Sequence, residues 1–174
     1  QNQYMSTFEY QQTLPKKRMG SGALFFDGMG RLLLVEPSYK PTWEIPGGVV
    51  EAHESPKACV EREILEELGL EKKVGRLLCI DYNPTTDTRL ESLMFIYDGG
   101  EISAADIQAI KLQENELLSF RFFEQDDLPE NLSPTLRQRI LTGWQTRLEN
   151  GNFIYCENGL TSWDADKLIS FPIW

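Results

Sequence analysis

The sequence contains a single histidine, His53, in 174 residues. That excludes a metal site built from several histidines and leaves few ways to assemble Ser-His or Cys-His nucleophilic catalysis. Its three cysteines, Cys59, Cys79 and Cys156, are odd in number and widely spaced. Neither a disulfide framework nor a zinc site fits that pattern, so the thiols are expected to pack as small apolar groups in a reducing, cytoplasmic setting. No apolar run approaches the ~20 residues that span a bilayer, and no membrane association is expected. The leading residues lack the zones of a secretory signal. Met5 reads as the natural start, with Gln1–Tyr4 added ahead of it. Positive charge is scarce: 17 lysines and arginines stand against 27 acidic residues, a net charge of −10. Such a chain has no general field for nucleic acid. Its one basic run, Lys16-Lys17-Arg18, reads as a solvated lead-in to the first strand. Internal repeats and low-complexity segments are also missing.

What remains is ordinary globular material of one-domain length, 41% hydrophobic and 25% charged. Met19–Phe26 and Arg31–Val35 read as strands of a hairpin turning at Asp27–Gly30. Pro37–Thr42 reads as a loop, and Trp43-Glu44-Ile45 as a short extended piece closed by Pro46-Gly47-Gly48. Ser55 as N-cap, Pro56 in the first turn and Gly69 as stop predict a helix between them. Val60, Ile64 and Leu68 should be its core face. Val74–Asp81, Ser92–Asp98 and Leu118–Phe123 are expected strands. Ser133-Pro134 opens a second helix, about Thr135–Leu148, with a stripe of Leu136, Ile140, Trp144 and Leu148 and a stop at Gly151. Phe153–Cys156 reads as a short strand. Mixed strands with two separated helices predict an α/β sandwich. The expected organisation is a lead-in over 1–17, a domain over 18–160 and a tail over 161–174 that packs on the domain or on a second copy.

The first of these helices carries Arg62-Glu63-Ile64-Leu65-Glu66-Glu67. Residues three and four apart share a helix face, so Glu63, Glu66 and Glu67 are expected on one side. Almost no lysine interleaves them, as an ion-paired surface would require. A divalent cation would relieve their repulsion, and oxygen ligands favour magnesium or manganese. The bland alternative is a solvated acidic face.

With Gly48 and Glu54 ahead of it and Gly69 and Leu70 behind, this segment resembles the Nudix box, Gly-x5-Glu-x7-Arg-Glu-U-x-Glu-Glu-x-Gly-U, where U is bulky and aliphatic. The matching residues are Gly48, Glu54, Arg62, Glu63, Ile64, Glu66, Glu67, Gly69 and Leu70, without a gap. The resemblance implies a Nudix-type α/β/α sandwich with a mixed sheet, and metal-dependent hydrolysis of a pyrophosphate linkage. It implies Glu63 and Glu67 as the main metal ligands, with Glu66 joining them and Gly47 lending its carbonyl. Glu54 and Arg62 would orient the glutamates. Relatives differ in their general base. Glu116, ahead of the Leu118–Phe123 strand, is the expected candidate outside the box, with Glu114, Asp87 and Glu91 behind it. Tyr39, Trp43 and Tyr82 are candidates for stacking on a substrate base.

The expected substrate is a small nucleotide, a nucleoside diphosphate linked to another moiety as in ADP-ribose. The alternatives are a nucleoside triphosphate pyrophosphohydrolase acting also on oxidised nucleotides, and a nucleotide-binding sensor without catalysis. A homodimer is a further expectation from the resemblance.

Overall fold

The computed structural model describes residues 5–161. Gln1–Tyr4, and the tail beyond Thr161 with its expected packing, lie outside the described residues. The chain runs α1 (Thr7–Thr13), β1 (Arg18–Phe26), β2 (Leu32–Pro37), β3 (Gly47–Val49), α2 (Pro56–Leu68), β4 (Leu77–Asn83), β5 (Ser92–Glu101), α3 (Ala104–Ala109), β6 (Leu117–Phe123), α4 (Pro134–Leu148), β7 (Ile154–Glu157) and β8 (Leu160–Thr161). The eight strands form one mixed sheet in the order β6-β2-β1-β5-β4-β7-β8, with β3 added to β1. β1 is parallel to β5 and antiparallel to both β2 and β3.

Side chains alternate across a strand, and β1 shows the result. Ala23 and Phe25 enter a core under α2, with Val60, Ile64 and Leu68. Leu24 and Phe26 enter a second core under α4, with Ile140 and Trp144. A sheet covered on both faces explains why the middle of β1 is apolar throughout. The protein is therefore an α/β/α sandwich. Among the described residues no helix is long and apolar enough to cross a membrane.

The β1–β2 hairpin opens soon after its turn. Register holds at Phe26–Leu32, and farther along Val35 bridges Glu44 instead. β3 then takes the vacated place beside β1, pairing Gly47 with Gly22 and Gly48 with Ser21. This split in the sheet makes room for a cleft. Gly47 and Gly48, expected to close the extended piece at Trp43–Ile45, are themselves strand residues.

Other expectations shift as well. Leu148 is 60% exposed, whereas Leu136, Ile140 and Trp144 are buried. A spacing of four turns the stripe about 40° per step, and by the third step it has rotated off the sheet. Asn150, not Gly151, takes the left-handed conformation after α4. β4 begins at Leu77 rather than Val74, since Gly75 and Arg76 exchange hydrogen bonds with Asp98 before the regular ladder starts. Helices α1 and α3 were not expected from the periodicity. Each is six or seven residues long with no buried residue, too short to show an apolar stripe.

Candidate active site

Helix α2 starts as its sequence dictates. The Ser55 hydroxyl accepts the Ala58 N–H, Pro56 sits in the first turn, and Gly69 closes the helix at φ 67°. This fixes the rotation of α2 over β3 and brings the acidic residues to the split in the sheet.

Gly47 adopts φ 149°, and a Cβ there would lie 2.6 Å from Gly22 Cα. Its N–H donates to Glu67 Oε2 at 2.9 Å. Glu67 is 8% exposed, and burial pushes its carboxyl up to about 8 against the Gly47 hydrogen bond, helped by the charges of Glu63, Glu116 and Glu44. Gly48 leaves a cradle that Glu63 fills: a Cβ would stand 2.9 Å from Glu63 Oε2 and closer still to Oε1. Desolvation also raises Glu63, with Arg62 opposing and Glu66 and Glu116 adding to the rise.

Arg62 ties the loop to the helix. Its Nε donates to Glu54 Oε1 at 2.8 Å and Nη2 to Oε2 at 3.1 Å. Its Nη1 serves both Glu63 Oε1 at 2.8 Å and Glu66 Oε2 at 3.1 Å. This pairing with Arg62, plus the Glu51 N–H, holds the Glu54 carboxyl down to about 2. The three box glutamates are thus not equivalent. Glu67 points inward, Glu63 is shared between the Gly48 cradle and Arg62, and Glu66 is exposed. Glu116 lies in the exposed turn before β6, close enough for its charge to act on Glu63 and Glu67.

A cleft of about 200 Å³ opens at the sheet split, lined by Glu67, Gly47, Tyr39, Lys40 and Glu44 among others. Ser21 also lines it, and its Oγ is the one buried side-chain polar atom without a hydrogen-bond partner among the described residues. As the side chains stand, no three acidic, histidine or cysteine residues among those described already converge on a metal-sized space, with Arg62 engaging Glu63 and Glu66. The donor set nevertheless suits a hard divalent cation: crowded carboxylate oxygens, two with raised pKa values, beside an orphaned hydroxyl.

A family model described as NUDIX domain matches residues 16–142. The chain belongs to the Nudix family. Over 96 residues it is 36% identical to the ADP-ribose pyrophosphatase of Methanocaldococcus jannaschii, covering 53% of this chain and 52% of that protein. Over 69 residues it is 41% identical to diphosphoinositol polyphosphate phosphohydrolase 2 of Rattus norvegicus, covering 39% of this chain and 38% of that one. The chain therefore spans about half or less of the length of these curated relatives. The MutT protein structure from Methanosarcina mazei Go1 superposes with a TM-score of 0.64 at 25% identity, over 79% of this chain and 99% of that one.

The remaining expected site residues scatter around this Nudix centre. Tyr39 lines the cleft and is 71% exposed, with the Lys40 ammonium over its ring at 5.6 Å from the centroid. Trp43 packs edge-on against Phe123, with ring centroids 5.2 Å apart, and is not among the cleft walls. Tyr82 is also away from the cleft, its hydroxyl donating to Glu91 at 2.8 Å. Glu91 is engaged in turn by Lys17, and Glu114 and Asp87 are exposed. Cys59 lies buried under β3, and desolvation pushes its thiol up to about 12, as suits an inert packing group.

Glu44, Ser21 and Arg139 are among the cleft residues that the sequence does not single out. Glu44 lies within the expected extended piece, and nothing local marks its proximity to Glu67. Ser21 is hidden in an apolar strand. Arg139, on the buried side of α4, left a readable trace: a charge placed between Leu136 and Ile140 on an apolar face.

Proposed function

We propose that the protein hydrolyses the pyrophosphate linkage of a nucleoside diphosphate joined to a second moiety, the class to which ADP-ribose belongs, with magnesium or manganese. The observation that carries this reading is the buried Glu67 carboxylate, fixed by the Gly47 N–H at the wall of a cleft and flanked by Glu63 and Glu66. Its identity with an ADP-ribose pyrophosphatase over half its length supports the linkage class. Buried free thiols at Cys59, Cys79 and Cys156 support a reducing, cytoplasmic setting.

Glu63, Glu66 and Glu67 would hold the cation. When bound, it neutralises phosphate charge and acidifies coordinated water. The chain's own residues do the rest. Gly47 and Arg62 hold the carboxylates in place, and Arg18 adds positive charge to the cleft wall, where Lys40 is paired with Glu44. The Glu116 carboxylate takes the proton from the attacking water as the new P–O bond forms and the other phosphate leaves.

A panel of nucleoside-diphosphate-linked compounds incubated with magnesium should yield a nucleoside monophosphate and the phosphorylated second group, identified by mass. EDTA should abolish the reaction and magnesium restore it. Turnover that persists in chelator, or no cleavage of any compound, would refute the reading, and pyrophosphate release from triphosphates alone would replace it. Glu116→Gln is expected to lower kcat at least tenfold, in line with a general base. A drop below threefold removes Glu116 from the chemistry.

A further inference from the structure

The cleft reaches through the split in the sheet to the α4 face, where Arg139 and Leu136 line it. Arg139 is 7% exposed. Its Nε donates to Asp81 Oδ2 at 2.8 Å and its Nη2 to Asn83 Oδ1 at 3.1 Å. Asp81 is wholly buried, and its Oδ1 accepts the Gly159 N–H at 2.8 Å. Gly159 has φ 78°, and a Cβ there would lie 2.8 Å from Thr135 O and 2.9 Å from Arg139 N. The β7–β8 turn thus closes tightly on the start of α4. β4, α4 and this turn together set the guanidinium plane.

A purely structural ion pair would use the arginine up. Here the side of the fork formed by Nε and Nη2 is taken, while Nη1 makes no hydrogen bond among the described residues. The end of a planar guanidinium offers two parallel N–H donors in a fixed geometry. Its positive charge is already cancelled by Asp81. With Arg139 among the cleft walls, the unpartnered Nη1 and the second N–H of Nη2 would offer a pair of oriented donors with little net charge, which suits neutral acceptors better than a phosphate. The neighbouring walls are Gly20, Met94, Ile96 and Leu136, apolar surface fit for a flat ring.

We propose that this end of the cleft holds the substrate's base and selects guanine over adenine through Arg139. Guanine carries two adjacent acceptors, O6 and N7, which match the two donors. Adenine places an amino group at the first of these positions, donor against donor. The proposal rests on the proposed function for the linkage that is cut, and it revises the base relative to ADP-ribose itself.

The test compares GDP-glucose, ADP-glucose and the inosine analogue, which keeps O6 and N7, as substrates of the unmodified protein. Binding of GMP and AMP is measured separately by calorimetry in EDTA, where no hydrolysis is involved. The expected result is a kcat/KM about ten- to a hundredfold higher for GDP-glucose than for ADP-glucose, with the inosine compound close to guanine and GMP binding more tightly than AMP. Because Arg139→Gln alone strands a buried carboxylate, the variant of choice pairs it with Asp81→Asn. That protein should fold, by circular dichroism, and bring the guanine-to-adenine ratio close to one. Equal or reversed preference in the unmodified protein, or equal binding of GMP and AMP, overturns the proposal. Tighter GMP binding with no cleavage of any compound would instead overturn the proposed hydrolysis and leave the base site standing.

Discussion

Glu67→Gln is expected to lower turnover on the order of a thousandfold, about 4 kcal/mol of barrier, while raising the stability of the metal-free protein at pH 8. The two effects have one cause. An unfolded glutamate titrates near 4.5, whereas burial holds Glu67 near 8 in the fold. Below pH 4 both states carry the proton and the site has no effect on stability. As pH rises through 4.5 the unfolded chain releases its proton and the folded protein keeps it. Folding then weakens by roughly 1.4 kcal/mol per pH unit until the folded carboxyl ionises too, near pH 8. Glutamine keeps an oxygen for the Gly47 N–H and cannot ionise. The stability gap between variant and wild type in EDTA should therefore open between pH 5 and 8, measured by urea unfolding. Saturating magnesium should narrow it, by favouring the ionised wild-type carboxylate. A gap independent of pH would mean that Glu67 is not held protonated in the fold.

Gly47→Ala is the second large effect, and it falls on the fold. The position combines φ 149° with a backbone neighbour at 2.6 Å from any Cβ, and Ser21 O crowds it still more closely. Strain and overpacking each cost about 1–3 kcal/mol. A loss of about 3 kcal/mol and a Tm lowered by roughly 6–12 °C are expected for a chain of this size. Gly30→Ala is the control. It shares a positive φ, 78°, but has open space around it, so only the conformational penalty of about 1 kcal/mol applies. If the two substitutions destabilise equally, the close approach of β3 to β1 is not what requires glycine at 47. Thermal unfolding of both variants decides it.

Much of this fold is local, and local features were legible. Ser55, Pro56 and Gly69 bracket α2 because capping depends on a few neighbouring atoms. The Val60, Ile64 and Leu68 face follows from helical period alone. Spacing places Glu63, Glu66 and Glu67 near one another on α2, but Arg62 and the Gly47 N–H decide which carboxylate turns inward. Short α1 carried a readable capping box at Ser6 and Glu9 that periodicity overlooked. The split between β1 and β2, and with it the cleft, was not readable, since it depends on Glu44 bridging Val35 and on Gly47 reaching Gly22. Those pairings are long-range, and no single segment encodes them. Trp43 and Tyr82 show the same limit: an aromatic ring's partner is set by tertiary packing, here Phe123 and Glu91.

The two helices that flank the sheet meet the same cleft from opposite sides. The acids belong to the helix on one side, while Arg139 and Leu136 belong to the helix on the other. On the proposed base site, grafting a different α4 onto the same strands would retune which molecule is grasped while leaving the glutamates of α2 in place. Such a layout gives a lineage freedom to wander among ligands without reinventing its chemistry.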